Sequence, residues 1–469
     1  MHTTLSFMAA KITKIGITND KISARGGLPL FLRYIEQIGL FRLITGIILP
    51  LIFKNNNKGL GLQQFLKQII AFFIDGTTMS ICNFDRLKND EGYAALLECK
   101  SDQLASSHQI KRYFAKLSVI TNLIFNRILN ELFIWRLHIV NPRIIELGID
   151  TMVLDNDDSK KREGNEVTYK HKKGFQPLHI SWGSFLIDVM FRKGSAHSNH
   201  GTDYTDRVRS IVNLIRTRYS PDVPILICGD SGFADQKAYQ VFEQELHIHF
   251  ITTGKLYEDV KESIEQFSDK DFSEIKKGKI IWQYIEFRSK LKSWKESRRC
   301  IFTRLHHDEN GQCVMNFGKP NNIIYTNIGN CPVADQRLMA AGGDEYFEAG
   351  NIVKKSHERG ADELIHRSIK ELATKEQLPF KSMGMNRAYY FMLVITHFLF
   401  EAYKQDVTSQ VIPITSYPNT FRRILIDFAV KITSRSRNIL LNVTKTVYET
   451  INIEELWKLC QSPPKIQLV

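Results

Sequence analysis

The sequence predicts an α/β fold: a mixed sheet with helices on its faces, broken by a β-rich insertion and flanked by helical N- and C-terminal regions. Three observations predict it. Up to about residue 140 apolar residues recur at helical spacing, and from about 144 short apolar runs bounded by turn residues replace them. The elements then run three strands, helix, strand, helix, strand, an order that implies a sheet covered by helices. Two of the strands run directly into carboxylates, and in such sheets ligand groups collect beyond the strand ends.

The N-terminal helical region spans residues 1–143, with the clearest spacing in Leu28–Leu43, Leu62–Phe73 and Leu117–Leu137. Within it a serine cap at Ser106-Ser107 opens a short helix displaying Lys111 and Arg112, suited to the second helix of a helix-turn-helix DNA reader. An ordinary solvated helix face accounts for the same residues equally well. Residues 144–254 form the first part of the core. Ile149–Leu154 is a strand ending in Asp155-Asn156-Asp157-Asp158, and Pro177–Ser181 and Phe185–Phe191 are strands joined by a Gly183-Ser184 turn. Asp203–Arg218 is an amphipathic helix. Val223–Cys228 is a strand ending in Gly229-Asp230-Ser231-Gly232-Phe233, followed by a helix over Ala234–Gln244 and a strand over His247–Thr252.

Residues 255–345 form the insertion, with a lysine-rich helix around 261–277 and strands at Ile280–Phe287 and Arg299–Arg304. A basic turn around Trp294 joins those strands. Residues 346–405 return to the core as helices, charged at first. Residues 406–469 continue as a basic helical region holding Arg422, Arg423, Lys431, Arg435 and Arg437.

The 469 residues carry 63 Lys+Arg against 50 Asp+Glu, a net charge of +13. That excess favours polyanions, nucleic acid above all; a merely solubilising surface is the plainer alternative. The seven cysteines are scattered and include no C-x-x-C, which argues against a disulfide framework and a structural zinc site and fits a reducing compartment. No uninterrupted apolar core follows Met1, so no secretory signal is expected. Leu43–Phe53 and Ala388–Tyr403 are too short to span a membrane; the first contains Pro50 and the second His397 and Glu401. A soluble, cytoplasmic protein without a membrane partner is therefore expected. No G-x-x-x-x-G-K-[ST] loop is present, so no nucleotide cofactor is implied.

Breaking a phosphodiester without a covalent enzyme intermediate needs an activated water or 3′-hydroxyl and a stabilised leaving oxygen. Two Mg²⁺ (or Mn²⁺) ions supply both. Mg²⁺ takes carboxylates and waters, so the site calls for a few Asp or Glu residues converging from separate elements. Asp157 and Asp230, beyond the ends of neighbouring strands, with a Glu from a later helix, meet that need. Asp150, Asp155 and Asp158 compete with Asp157 for the first position, and Glu348, Glu358 and Asp362 compete with Glu363 for the third.

Leu154-Asp155-Asn156-Asp157-Asp158-Ser159, Cys228-Gly229-Asp230-Ser231-Gly232-Phe233 and Arg359-Gly360-Ala361-Asp362-Glu363 resemble the three motifs of DDE transposases of bacterial insertion sequences. The group concerned has a third motif Tyr-x₂-Arg-x₃-Glu-x₆-Lys, which falls here on Ser356, Arg359, Glu363 and Lys370; Ser356 stands where the group has tyrosine. The resemblance covers roughly residues 145–375 and implies an RNase H-like sheet. The 133-residue separation of Asp230 from Glu363 matches the β-rich insertion of that group. By the same resemblance Asp157, Asp230 and Glu363 are the metal ligands. Arg359 and Lys370 share a helical face with Glu363 and would hold DNA phosphates. Ser356 would supply a smaller phosphate contact than tyrosine.

Trp294 would be a platform for a displaced base, as in the insertion domain of similar enzymes, although a tryptophan in a β-rich segment is more often core. Lys290, Lys292, Lys295, Arg298 and Arg299 form a basic cluster facing phosphates or, alternatively, a solvated hairpin face. The resemblance also implies binding to terminal inverted repeats and target DNA, cleavage followed by strand transfer, a homodimer on DNA, and a bacterial, nucleoid-associated location. Two rivals share these residues: an RNase H-like nuclease that does not join strands, and a transposase-derived DNA-binding protein with a dead site, which Ser356 alone favours.

Overall fold

The computed structural model describes residues 12–467 apart from 53–59, 78–79, 120, 160, 197–202, 292–293, 309–320, 359, 374–375 and 437. Nine strands form its central sheet: β1 (Ile145–Thr151), β2 (Leu178–Trp182), β3 (Phe185–Met190), β4 (Ile225–Gly229), β5 (His249–Gly254), β6 (Ser273–Lys277), β7 (Ile280–Ser289), β8 (Arg298–Asp308) and β9 (Asn322–Thr326). Their spatial order is β6-β7-β8-β9-β5-β4-β1-β2-β3. β1, β2 and β3 are antiparallel neighbours, while β4 runs parallel to β1 and β5 parallel to β4. Five strands in the order 3-2-1-4-5 with these directions make the mixed, RNase H-like half that the sequence predicts.

The inserted strands do not stand apart from this half. β9 pairs antiparallel with β5, and β8, β7 and β6 follow as an antiparallel meander. The exposed edge of the core is thereby covered by continuing the same sheet. The lysine-rich segment is not one helix over 261–277, because a helix over Glu258–Ile264 gives way to β6. Ser273–Lys277 pairs residue by residue with Ile280–Tyr284, and this ladder competes successfully with the helical composition.

Strand β4 is buried along its whole length, as befits a central parallel strand covered on both faces. Three N-terminal helices, α1 (Leu62–Asp75), α2 (Ser107–Leu117) and α3 (Thr121–Val140), pack around α7 (Met383–Tyr403). α7 is buried almost throughout and lies, with α3, against β3. The apolar run that composes α7 thus serves a protein core, and no helix among the described residues is long and apolar enough to cross a membrane. α2 has the expected serine cap: Ser106 Oγ accepts from the Gln109 N–H at 3.3 Å, leaving Lys111 and Arg112 exposed. α4 (Asp203–Arg218) joins the same core through Val208, Ile211, Val212 and Ile215 and touches α3, with Arg218 paired to Glu131. α5 (Ala349–Glu358) inserts Ile352 and Val353 against Ile251, Ile301 and Ile324 of the sheet. α6 (Gly360–Ala373) follows and packs on α7.

The C-terminal region is not purely helical. Val430–Arg435 and Asn438–Asn442 form a hairpin, and Lys21–Ser23 from the N-terminal region adds a third strand to it. Arg422, one of the expected basic surface residues, is buried instead. Its guanidinium donates to the carbonyls of Phe73, Ile74, Glu371 and Leu372, tying α1 to α6 at their C-terminal ends. The six described cysteines are free thiols.

Candidate active site

The parallel register fixes two carboxylates side by side. β1 and β4 pair Ile145 with Ile225 through to Ile149 with Gly229. The next residues on each strand are Asp150 and Asp230. Gly229 permits this close approach, since a Cβ there would meet Ile149 Cγ2 at 3.0 Å. Asp230 then turns the chain: its Oδ1 accepts the Gly232 N–H at 2.7 Å and its carbonyl accepts the Phe233 N–H at 3.0 Å. Asp150 Oδ1 accepts the Thr151 N–H at 2.6 Å.

A cavity of about 870 Å³ opens over these strand ends and is lined by Asp150, Asp230 and Glu363 together. Helix α6 supplies its wall through Glu363, His366, Arg367, Lys370 and Glu371. That spacing of three, four, seven and eight puts all five on one helical stripe. The opposite stripe, Ile365, Ile369 and Leu372, is buried. Sheet register thus places two carboxylates, and helix periodicity places the third.

Asp157 is not in this cavity. The apolar run Ile149–Leu154 reads as one strand, but the ladder with β2 stops at Thr151. After Met152 and Val153, Leu154–Asp155 joins a separate three-stranded sheet with Glu166–Val167 and Lys173–Phe175. Asp157 lies exposed beyond it, its Oδ1 accepting the Lys173 N–H at 3.3 Å. Asp155 pairs with Lys172 at 2.6 Å, and Lys172 holds its carboxyl below the usual range. Of the competing aspartates, Asp150 is therefore the one that joins Asp230 and Glu363. The signal was present in the sequence: Asp150 and Asp230 are the residues that equal-register strands would align, whereas the stretch Leu154–Ser159 that resembles the family's first motif centres on Asp157.

Cations rim the cavity. Lys370 pairs with Glu376 at 2.9 Å, and Arg367 pairs with Glu371 at 2.9 Å and lies over the Tyr417 ring at 4.0 Å. Tyr169 and Lys170 contribute from the turn between the two short strands that follow Asp157. Tyr169 is 57% exposed. Partial burial and the negative charges of Asp150 and Asp230 raise its hydroxyl above the ordinary tyrosine value. Behind the carboxylates stand two histidines unnoticed in the sequence. His366 Nδ1 is 3.9 Å from Asp150 Oδ2, and His366 Nε2 is 3.4 Å from His179 Nδ1. Burial, then the charges of Lys370 and Lys170, pushes His366 down to about 4; burial holds His179 well below the ordinary histidine value.

The remaining expected site residues divide. Arg359 and Lys292 lie outside the described residues. Ser356 is buried on α5 at 5% exposure and its hydroxyl has no partner among the described residues, so it is not placed to touch a phosphate. Trp294 is 7% exposed, edge-on to Tyr239 and Tyr325. It packs as core, although it also borders a second cavity of about 700 Å³ with Lys237, Lys255 and Lys295. The basic cluster splits in two. Arg298 is buried against Glu243 and over the rings of Tyr239 and Trp294, and Arg299 pairs with Glu286 and donates to the Ile328 and Phe347 carbonyls. Lys290 and Lys295 stay exposed.

The donor chemistry fits a hard divalent cation: three carboxylates, from two strand ends and one helix, lining one open cavity. They are not drawn together as they stand, for no group of three His, Cys, Asp or Glu side chains among the described residues is close enough to hold an ion.

Comparison with known proteins gives one family. The model described as "Transposase DDE domain group 1" matches residues 8–462. Among solved structures, a cryo-EM structure of the piggyBac transposase synaptic complex with hairpin DNA aligns with a TM-score of 0.39 and 13% identity, covering 94% of this chain and 83% of that one. No curated protein matches.

Proposed function

The chain belongs to the DDE transposases of domain group 1, and from that premise we propose that it cleaves DNA at the ends of its own element and joins them to target DNA, using Asp150, Asp230 and Glu363. The observation that carries this reading is the β1–β4 register, which aligns Asp150 with Asp230 at one cavity wall while α6 brings Glu363 to the other.

In this reading the three carboxylates hold Mg²⁺ or Mn²⁺, in the two-ion arrangement usual for phosphodiester chemistry. Bound there, the ions would activate the attacking oxygen and stabilise the leaving one. The chain's own residues do the rest. Lys170, Arg367 and Lys370 at the rim receive the phosphates on either side of the cleaved bond. Lys370 exchanges Glu376 for a phosphate oxygen, and Arg367 offers a planar guanidinium able to bind in two-point fashion. Tyr169 presents an exposed ring where a base next to the cleaved position would lie. Exposed Lys290 and Lys295, together with Lys111 and Arg112 on α2, extend the basic surface for recognition of the terminal inverted repeats. Two DNA ends call for two copies of the chain.

The deciding experiment is Mg²⁺- or Mn²⁺-dependent cleavage and strand transfer on DNA carrying the element's ends, with wild type, Asp150→Asn, Asp230→Asn and Asp157→Asn compared. Joining that vanishes in the 150 and 230 variants and persists in the 157 variant is expected. Cleavage without joining would make the protein a nuclease. Tight end binding with no cleavage by wild type would leave only a DNA-binding role.

A further inference from the structure

Behind Asp150 a line of buried polar groups runs into the centre of the molecule. β1 and β2 pair Asp150 with His179 directly across the antiparallel ladder. His179 is 2% exposed and touches two groups: its Nε2 is 2.7 Å from the Tyr390 hydroxyl, and its Nδ1 is 3.4 Å from His366 Nε2. Tyr390 belongs to α7 and is fully buried. His366, one turn along α6 from Glu363, turns its Nδ1 toward Asp150 at 3.9 Å. Four side chains from β1, β2, α6 and α7 thus stand in line.

Neutral imidazole has one N–H and one lone pair, so the two rings must agree on a direction. Asp150 settles it, because an ionised carboxylate only accepts. A ring with its lone pair toward Asp150 would face like charge; a ring with its N–H there faces an acceptor. His366 therefore carries its proton on Nδ1 and accepts at Nε2. His179 must then carry its proton on Nδ1 and accept at Nε2, where the Tyr390 O–H is the donor. Every proton in the line points toward the carboxylate. The last link, at 3.9 Å, is about 1 Å longer than an ordinary hydrogen bond, a length from which catalytic contacts tighten in the working complex.

We propose that Tyr390, His179 and His366 form a one-way hydrogen-bond line that orients the Asp150 carboxylate for its cation, with His366 as the positioning residue. This rests on the reading of Asp150 as a metal ligand. A carboxylate at a strand end has two rotatable bonds; the Thr151 N–H holds Oδ1, and the His366 ring faces Oδ2. Partners of this kind, one step removed from a metal, typically change its affinity by about 10- to 100-fold when lost.

The test is Mn²⁺ binding to the full chain without DNA, followed by electron paramagnetic resonance of the free ion, with folding checked by circular dichroism. His366→Ala is expected to weaken Mn²⁺ binding about tenfold or more. His366→Asn, which restores an N–H near the Nδ1 position, should recover most of that loss. Tyr390→Phe removes one oxygen at the far end and should weaken binding by a smaller factor, about two- to threefold if the line transmits direction. Equal losses for His366→Ala and His366→Asn, or wild-type affinity for both, would overturn the proposal. Asp150→Asn separates it from the reading beneath: Mn²⁺ binding absent in wild type, or unchanged in Asp150→Asn, sinks the metal site itself. Binding lost in Asp150→Asn but kept in His366→Ala sinks only the line.

Discussion

The two halves of the central sheet use charge in opposite ways. In β1, β4 and β5 the strands are parallel, so their C-terminal ends share one edge, and Asp150 and Asp230 at the ends of β1 and β4 converge on one cavity. In β6 to β9 the strands are antiparallel, successive ends fall on opposite edges, and the charged residues meet across neighbouring strands instead. Arg299 faces Glu286, and Arg304 shares Gln283 and Asp269. Parallel strands gather carboxylates at one cavity, where a bound cation would relieve their repulsion, whereas the meander pairs charges such as Arg299 and Glu286 within itself. In the proposed reading chemistry belongs to the first half and support to the second.

The sharpest way to break this comparison is a substitution that removes one converging carboxylate. Asp150→Asn should lower DNA cleavage on the order of a thousandfold, since metal stabilisation of developing charge is worth several kcal/mol at about 1.4 kcal/mol per tenfold. Asp157→Asn, only seven residues on, should stay within about threefold of wild type. Reversal of that order in a cleavage assay would return the first ligand to Asp157 and undo the register argument.

Much of this contrast was legible in the sequence. The order of elements along the core, the α4 helix over Asp203–Arg218, the Gly183 turn and the strand before Asp230 all follow from local pattern. The break after Thr151 does not, because Met152, Val153 and Leu154 beyond it are buried and look like continued strand. Trp294, from the family resemblance and with core as its alternative, and Arg298 and Arg299, from their basic cluster, read as DNA contacts. Burial depends on which element packs beside them, and Tyr239, Glu243 and Phe347 come from far along the chain. His179 and His366 carry no motif; only the β1–β2 register and the position of α6 bring them to Asp150.

The inserted half offers the next largest effect. Arg298 is 6% exposed and its partner Glu243 is 17% exposed, so Arg298→Ala strands a carboxylate in a poorly hydrated place. Burial already raises the Glu243 carboxyl despite the arginine. A loss of about 3 kcal/mol in urea unfolding is expected, with metal-dependent cleavage retained below the melting range. A variant of wild-type stability but weakened DNA binding would instead make Arg298 a phosphate contact. Its neighbours on the same segment should behave inversely. Lys290→Ala with Lys295→Ala should leave stability unchanged and flatten the salt dependence of DNA affinity, lowering the slope against log salt by about 2. An unaltered slope would remove that segment from the DNA interface.

The smallest effect concerns acid stability and separates the halves once more. His179, His366 and His397 lie in the core half and the helices that cover it, and all three are held below the ordinary histidine value by burial. His397 on α7 is pushed down to about 3, first by burial and then by the charge of Lys404, with its Nε2 3.1 Å from Ser368 Oγ on α6. A histidine whose folded pKa is depressed binds its proton more readily when unfolded. Its contribution to stability is therefore complete above the unfolded value near 6.5 and is lost as pH falls from there toward 3. Each such histidine removes up to about 1.4 kcal/mol per pH unit well below 6.5. Between pH 6.5 and 5.5 His397→Gln should consequently lose about 1 kcal/mol less than wild type in urea unfolding. Parallel pH profiles for the two proteins would show that His397 is not a neutral, buried group, and that α6 and α7 meet less tightly than the packing of Ile365 and Ile369 implies.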